Sequence, residues 1–146
     1  LKPWMDWAEN IPDDIEYEAI MRQSRIEYLK REDLQLLITD KSTGIIIGST
    51  GFHRIDWSIP KVEIGYWISK SHEGQGFVTE TVRALETIAF DHLGAQRIEI
   101  RCDADNEKSA AIPRRLGYRH EATFQNFRRH HLTNELVAVL VFAKIP

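Results

Sequence analysis

The chain has 146 residues, of which 42% are hydrophobic and 28% charged, and its formal net charge is −3. These values fit one domain, residues 1–146, with a buried core, and the negative charge argues against broad electrostatic binding to nucleic acid. No apolar run approaches the roughly 20 residues of a membrane span, and no signal-peptide pattern opens the chain. The single cysteine, Cys102, excludes an internal disulfide framework. We therefore expect a cytoplasmic protein without membrane contact.

The first half of the chain predicts one helix followed by three strands. Asn10 to Asp14 has the features of a helix start, with a cap candidate, a proline and two acids, and the helix would end near Lys30. β-type runs follow from Leu34 to Asp40, from Gly44 to Ile55 and from Lys61 to Ser69. The apolar residues at helical spacing in the helix are Ile15, Ala19, Ile20, Ile26 and Leu29.

The middle of the chain predicts a β-α-β crossover. An apolar stripe indicates a helix from Thr79 to Leu93, and Gly94 stands where a helix C-terminal cap belongs. Arg97 to Cys102 alternates polar and apolar residues and predicts a strand, with Cys102 on its core side. Together with Lys61–Ser69, these segments form a parallel pair of strands joined by a helix, with right-handed connection.

The last third predicts a short helix and two strands. The helix follows Ser109 and stops at Gly117, and its Pro113 fits best if the helix begins near Ser109. Strands follow over about Ala122–Arg128 and Leu136–Ile145. The fold class is therefore a mixed α/β (α+β) domain, with a mainly antiparallel sheet around the central crossover and helices on both faces.

The turn before the second helix is the most informative stretch for function. Gly74-Gln75-Gly76 lies between a strand and a helix, where successive N–H groups and the helix dipole can hold a pyrophosphate. Glycines allow the backbone to approach phosphate oxygens closely. The turn lacks the third glycine of a dinucleotide fingerprint and the Gly-Lys-Ser/Thr of a P-loop. By itself it is equally compatible with an ordinary tight loop.

Two segments together resemble the acetyl-CoA signature of the GNAT acetyltransferase superfamily. The first is Ile64 to Ile68 followed by Glu73 to Glu80, which is similar to the motif Gln/Arg-x-x-Gly-x-Gly/Ala with departures at Glu73 and Val78. The second is Asp103 to Ser109 with Leu116-Gly117-Tyr118, which is similar to Asn-x-x-Ser…Leu-Gly-Phe. Without the resemblance, Asn106 and Ser109 would be read as helix caps.

The resemblance extends from about Asn10 to the C-terminus, and is closest to the ribosomal-protein N-terminal acetyltransferase (RimJ/RimL-like) branch. Trp4-Met5-Asp6-Trp7 and Gly51 to Asp56 also carry it. Family members have another strand and part of a helix before this point. We therefore expect the sheet here to lack its first strand, or the chain to be shortened.

The resemblance implies acetyl-CoA as cosubstrate and no metal. It places the pantetheine arm along the backbone around Trp67 and Ile68, flanked by Asn106 and Ser109, with the acetyl oxygen near an N–H of Tyr66 or Trp67. It places the pyrophosphate at the glycine turn and the start of the helix. The implied cofactor-binding residues are Tyr66, Trp67, Ile68, Gly74, Gln75, Gly76, Phe77, Val78, Thr79, Asn106 and Ser109. Candidates for the outer phosphates are Arg83, Lys108, Arg114 and Arg115, although helix-surface cations are more often solvated charges.

The catalytic roles are implied less sharply. Glu63 is the first candidate for the general base, acting through water, with a structural carboxylate as the equal alternative. The ribosomal branch has a glutamate considered as the base near the start of the last hairpin, where this sequence has Arg128. Ser109 is the remaining acid candidate, because Pro113 stands where the superfamily often has the tyrosine that acts as the acid. His53 could line the acceptor pocket. His130-His131 lacks metal-ligand spacing, because adjacent strand side chains point to opposite faces.

Three functions remain in view. The first is acetylation of a protein N-terminus, with a ribosomal protein as a candidate, and the second is acetylation of a small amine such as an aminoglycoside, a polyamine or a peptide antibiotic. The third is a non-catalytic acetyl-CoA-binding module. An open acceptor groove would favour the first, and a closed acidic pocket the second. We expect a monomer or a homodimer.

Overall fold

The computed structural model describes residues 1–146, apart from the side chain of Asp6. The six strands and three α-helices of the described chain follow the predicted order. Their bounds are α1 Asp14–Lys30, β1 Leu34–Thr39, β2 Ile46–Asp56, β3 Lys61–Ile68, α2 Phe77–Thr87, β4 Arg97–Asp103, α3 Glu107–Arg115, β5 Arg119–Arg129 and β6 Leu136–Lys144. Within the described part, none of the helices is long and apolar enough to cross a membrane.

The strands form one six-stranded sheet in the order β1-β2-β3-β4-β6-β5. Only the central pair, β3 and β4, is parallel among the described strand pairs, and α2 connects it as the predicted crossover. The neighbouring pairs are antiparallel. The mixed, mainly antiparallel sheet expected from the sequence is therefore confirmed.

The core lies between one face of the sheet and the helices α2 and α3. Alternate residues of β3 and β4 enter it, and Val82, Leu85 and Ala89 meet them from the helix side. Helix α1 lies over the other face, because Ser24 hydrogen-bonds Gln35, which alternates along β1 with the core-packed Leu34 and Leu36. Helices thus lie on both faces of the sheet, as expected.

Helix α1 begins and packs differently from the prediction. Its N-cap is Asp13, not a residue before Pro12, and Asp13 and Glu16 form a reciprocal capping box. None of its described side chains is buried, and Ile15 and Leu29 are 78% and 71% exposed. The helix contacts the sheet along the edge strand β1. The apolar spacing therefore predicted the helix but not its burial.

The two later helices both start earlier than predicted. Helix α2 begins at Phe77 rather than Thr79, and continues through a π-helical turn, Ile88–His92, to Gly94 at φ 67°. The cap prediction for Gly94 is confirmed, since Ala95 N–H donates back to the Ala89 carbonyl. Helix α3 begins at Glu107, which leaves Pro113 in the helix interior rather than near its first turn. The predicted start near Ser109 was wrong, because Asn106 supplies the cap.

Candidate functional site

A gap opens in the middle of the sheet where β3 and β4 diverge. The two strands pair over three positions, from Lys61–Arg97 to Glu63–Glu99. Beyond Glu63, β3 continues against β2 alone, and beyond Glu99, β4 continues against β6 alone. The backbone of β3 from Ile64 to Ile68 therefore presents an edge to the gap, which can pair with an extended ligand.

The N-terminus of α2 points its donors at one end of this gap. Gly74 and Gly76 have φ angles of 74° and 91°, a backbone region that strongly favours glycine. The first helical hydrogen bond runs from Glu80 N–H to the Gly76 carbonyl, at 3.0 Å. The N–H groups of Phe77, Val78 and Thr79 precede it and project from the helix end, where they can donate to an anion.

A groove of about 590 Å³ joins the β3 edge to the N-termini of α2 and α3. Among the sequence-predicted residues, Gln75 turns back instead, because its amide donates to the Ser71 carbonyl. Glu63 is not among the lining residues, and by strand alternation its side chain faces away from α2 and α3. The predicted residues that line it are Tyr66, Trp67, Ile68, Gly74, Gly76, Phe77, Val78, Thr79, Asn106 and Ser109.

The groove also has a wall that the sequence did not reveal. Leu1, Trp4 and Met5 line it from the N-terminal turn, and Trp7 packs on Trp67 with ring centroids 5.6 Å apart. The resemblance marked this Trp-rich segment but gave it no role. Ala111 and Ile112 of α3 add apolar lining at helical spacing from Lys108, a signal that could have been read from the helix period.

Comparison with known proteins identifies the family. Residues 2–119 match the model of the acetyltransferase (GNAT) domain. The chain belongs to the GNAT acetyltransferase family. Over 123 residues it is 37% identical to a Bacillus subtilis protein named "Putative ribosomal N-acetyltransferase YdaF", covering 83% of this chain and 66% of that protein. Over 120 residues it is 28% identical to the ribosomal-protein-serine acetyltransferase of Escherichia coli, covering 80% of this chain and 66% of the relative.

A solved GNAT structure has the same fold over nearly the whole chain. The microcin C7 self-immunity acetyltransferase MccE, in complex with acetyl-CoA and AMP, superposes with a TM-score of 0.91 at 26% identity, covering 99% of this chain and 78% of that one. The chain spans about two thirds of the length of the two curated relatives described above. The GNAT fold is therefore shown for the domain.

In this GNAT domain, a tyrosine and a serine meet beside the groove. Tyr66 donates its hydroxyl proton to the Ser109 carbonyl at 3.0 Å, and the Ser109 hydroxyl lies 3.4 Å from the Tyr66 oxygen. Burial raises the pKa of Tyr66, against the opposing effect of the Ser109 hydrogen bond. The phenol therefore stays protonated and serves as a hydrogen-bond donor.

Two of the four cations predicted for the outer phosphates line the groove of the GNAT domain. Lys108 forms an ion pair with Glu73 at 2.6 Å, which links α3 to the glycine turn and lowers the pKa of Glu73. Arg115 donates to the Thr79 hydroxyl at 3.2 Å. Arg114 instead pairs with Glu107, and Arg83 of α2 is exposed and is not among the lining residues. Lys108 and Arg115 are therefore the better phosphate candidates.

The face of the sheet opposite α2 and α3 carries a stripe of charges, which we call the charged face. On β4 it consists of Arg97, Glu99, Arg101 and Asp103, at alternate positions. Glu63 joins it from β3 and is bonded by Arg54 at 2.6 and 2.8 Å and paired with Arg101 at 3.2 Å. Burial opposes ionisation of Glu99, but hydrogen bonds from Arg101 and Arg97 hold its pKa below the usual value. The Glu63–Arg101 pair bridges β3 and β4 where the gap begins.

Four other residues considered from the sequence fall outside the groove. Burial raises the pKa of the Cys102 thiol to about 11, and the side chain packs on the core as the alternation predicted. His53 is held by Asp33, with Nδ1 2.7 Å from Oδ2. The expectation that His130 and His131 point to opposite faces was wrong, since both follow the end of β5 and their rings stack at 5.0 Å. Among the described residues, no group of three His, Cys, Asp or Glu is placed to hold a metal ion.

Proposed function

We propose that this domain is an N-acetyltransferase that moves an acetyl group from acetyl-CoA to a primary amine. The amine nitrogen would bond to the thioester carbonyl carbon as the carbon–sulfur bond breaks. One proton leaves the amine, and the sulfur departs as the thiol. The domain would supply orientation, donors for the developing oxyanion, and groups that accept and return the protons. We expect it to act in the cytoplasm as a monomer or homodimer.

The observation that carries the proposal is the groove between the β3 edge and the helix starts. Its donor end, at Phe77 to Thr79, fits a pyrophosphate, and Lys108 and Arg115 add positive charge nearby. Its middle offers the open backbone edge of β3, which fits the amides of a pantetheine arm. The hydroxyl groups of Tyr66 and Ser109 lie where the arm would end, which supports Ser109 as the group that returns a proton to the sulfur.

A substitution inside the glycine turn tests acetyl-CoA binding. Residue 76 lines the groove, and a Cβ there meets nothing within 4 Å, so Gly76→Trp should fill the phosphate end of the groove. Gly44→Trp is the matched control, because Gly44 has φ 72°, equally open surroundings, and a place in the β1–β2 turn. By calorimetry, we expect the dissociation constant for acetyl-CoA to rise at least 100-fold in the first variant only. Equal weakening in both variants would contradict the assigned site.

The proposed proton acceptor is Glu63, acting through a water. Both of its oxygens already accept bonds from Arg54, so direct contact with the amine is the less favourable route. Glu99 is a matched control: it faces Glu63 across the β3–β4 register, is also 14% exposed, and also pairs with Arg101. We expect Glu63→Gln to lower kcat by roughly 10²-fold or more, and Glu99→Gln to lower it far less. Similar losses in both would assign Glu63 a structural role.

For the acceptor, we propose the N-terminal amine of a protein, with a ribosomal protein as the first candidate. The names of the two curated relatives support this choice. So does the charged face, where the acids Glu63, Glu99 and Asp103 are each paired with arginine rather than free to hold a polycation. The resemblance to MccE favours the second candidate, a small peptide antibiotic or related amine.

An acceptor panel separates these functions. Thiol release from acetyl-CoA would be followed with hexapeptides that begin in Ser or Ala, with polyamines and with an aminoglycoside. We expect the peptides to give the highest kcat/KM. Turnover of the small amines alone would favour the second candidate. Acetyl-CoA binding without thiol release from any acceptor would support a non-catalytic binding module.

A further inference from the structure

Asp103 is the most buried carboxylate of the charged face, and it ends the strand that borders the gap. It is 8% exposed and is the last residue of β4. Its carbonyl accepts the N–H of Asn106, whose side chain caps α3 at Ser109 and lines the groove. Its backbone therefore adjoins the rim of the groove at Asn106, while strand alternation directs its carboxylate to the charged face. An acceptor that approaches the gap from the charged face meets Asp103 at the rim.

Arg128 reaches Asp103 because β5 bulges at this point. The β5–β6 register jumps between Phe124–Val139 and Arg128–Val137, and Asn126 within the bulge has φ 52°. The bulge brings Arg128 across β6 to Asp103, with Nε 3.1 Å from Oδ1 and the second guanidinium nitrogen on Oδ2. Bulges that redirect one side chain commonly serve a site. Here the redirected side chain forms a two-point ion pair.

The pair leaves lone-pair sites of the carboxylate open to a further donor. An ionised carboxylate offers about four lone-pair sites, and a two-point guanidinium contact uses two of them. Arg128 itself is 35% exposed at its side chain, so the pair is open to solvent on one side. Across the gap on β3, Trp67 lies on the same face as Glu63 by strand alternation and packs against Trp7. An entering amine would thus pass between an aromatic wall and the Asp103 carboxylate.

We propose that Asp103 positions the acceptor amine, and that Arg128 positions Asp103. The free lone pair of the carboxylate accepts an N–H of the amine, which aims the nitrogen lone pair into the gap. The guanidinium offsets the attraction of the carboxylate for a positive charge, so the pair holds the amine in its protonated form less strongly than a lone carboxylate would. Asp103 acts by orientation and leaves the proton acceptor of the reaction unchanged.

This inference rests on the proposed acetyltransferase function, and the test separates the two. Three variants are needed: Asp103→Asn, Asp103→Glu, and the charge swap Asp103→Arg with Arg128→Asp. For each, the melting temperature, the dissociation constant for acetyl-CoA, and kcat and KM for the best acceptor of the panel are measured. The swap keeps an ion pair across β6 but moves the carboxylate from β4 to β5.

We expect Asp103→Asn to raise the acceptor KM by about 10-fold or more, with acetyl-CoA binding within twofold of wild type. The acceptor KM of Asp103→Glu should lie between those of wild type and Asp103→Asn. The swap should recover the melting temperature but not the KM. Recovery of both by the swap, or an unchanged KM in a folded Asp103→Asn protein, would overturn the inference and make the pair structural. If wild type acetylates none of the panel, the proposed function fails and the inference falls with it.

Discussion

The Ser109 carbonyl loses its helical hydrogen-bond donor because residue 113 is proline. In a regular helix the N–H of residue 113 would donate to this carbonyl, and proline has no N–H. Tyr66 fills the vacancy from β3, with its hydroxyl 3.0 Å from the carbonyl oxygen. The same contact holds the phenol next to the Ser109 hydroxyl. Pro113 of α3 thus helps to hold the Tyr66 side chain of β3 in the groove.

This link predicts a coupling between Tyr66 and Pro113. Tyr66→Phe should reduce the free energy of unfolding by about 1 kcal/mol, because the carbonyl loses its donor. In a Pro113→Ala background the restored N–H of residue 113 can donate to the Ser109 carbonyl instead. Tyr66→Phe should then reduce the free energy of unfolding by less. Urea unfolding of the four proteins in a double-mutant cycle measures the coupling. An equal cost in both backgrounds would show that the two residues act independently.

Helix α1 is an element held by its ends and its edge contact rather than by a buried face. Asp13 accepts the N–H of Ile15 at 3.0 Å and of Glu16 at 2.8 Å, while Glu16 accepts the N–H of Asp13 at 3.2 Å. At the other end Arg31 adopts a left-handed conformation with φ 62°. The apolar residues of α1 stay exposed beside β1. Local capping therefore contributes more to this helix than core packing does.

Capping makes α1 sensitive to a change at Asp13. Asp13→Ala removes the acceptor for two N–H groups and should destabilise the helix by about 1 kcal/mol. Hydrogen exchange of the α1 amides would report the effect as faster exchange in its first turns. Asp14→Ala is the control, since Asp14 is the neighbouring acid in the first turn but does not serve as the cap. Equal acceleration in both variants would assign the effect to charge near the helix dipole instead.

At the scale of the whole molecule, the groove depends on elements that are distant in sequence. The N-terminal turn, β3, the glycine turn, and the starts of α2 and α3 all contribute lining residues. A contact between His131 Nε2 and the Lys2 carbonyl, at 2.6 Å, also ties the N-terminal turn to the β5–β6 turn. Ligand binding in such a groove should therefore stabilise the domain as a unit.

Acetyl-CoA should raise the melting temperature of the whole domain. At a free concentration 100 times the dissociation constant, binding to the native state adds about 2.7 kcal/mol. For a domain of this size that corresponds to a shift of roughly 10 °C. Thermal unfolding with and without acetyl-CoA measures it, with Gly76→Trp as the variant that should show little shift. A full shift in that variant would place the ligand elsewhere.

The sequence by itself determined the order of the elements, the crossover and the glycine turn. Period-2 and period-3.6 patterns are local, and glycine is the residue that most favours a left-handed turn, so Gly74, Gly76 and Gly94 could be read without a structure. The left-handed Arg31 and Asn126 carried no such signal. The resemblance added the groove residues from Tyr66 to Thr79, and Asn106 and Ser109. The starts of α2 and α3 were each missed by two residues, because α2 begins directly after Gly76 without a side-chain cap and Asn106 rather than Ser109 caps α3.

Only the tertiary structure decided what meets across the sheet. The placement of Glu63 between Arg54 and Arg101, the bond from Tyr66 to the Ser109 carbonyl, and the pairing of Asp103 with Arg128 across β6 all depend on strand order and register. These partners lie 9 to 43 residues apart in the chain. Periodicity fixes the face on which a side chain lies, but its neighbour on that face is set by which strands pair, and in what register. The exposure of α1 and the contact that the β5 bulge gives Arg128 likewise depend on which strands pair, and in what register.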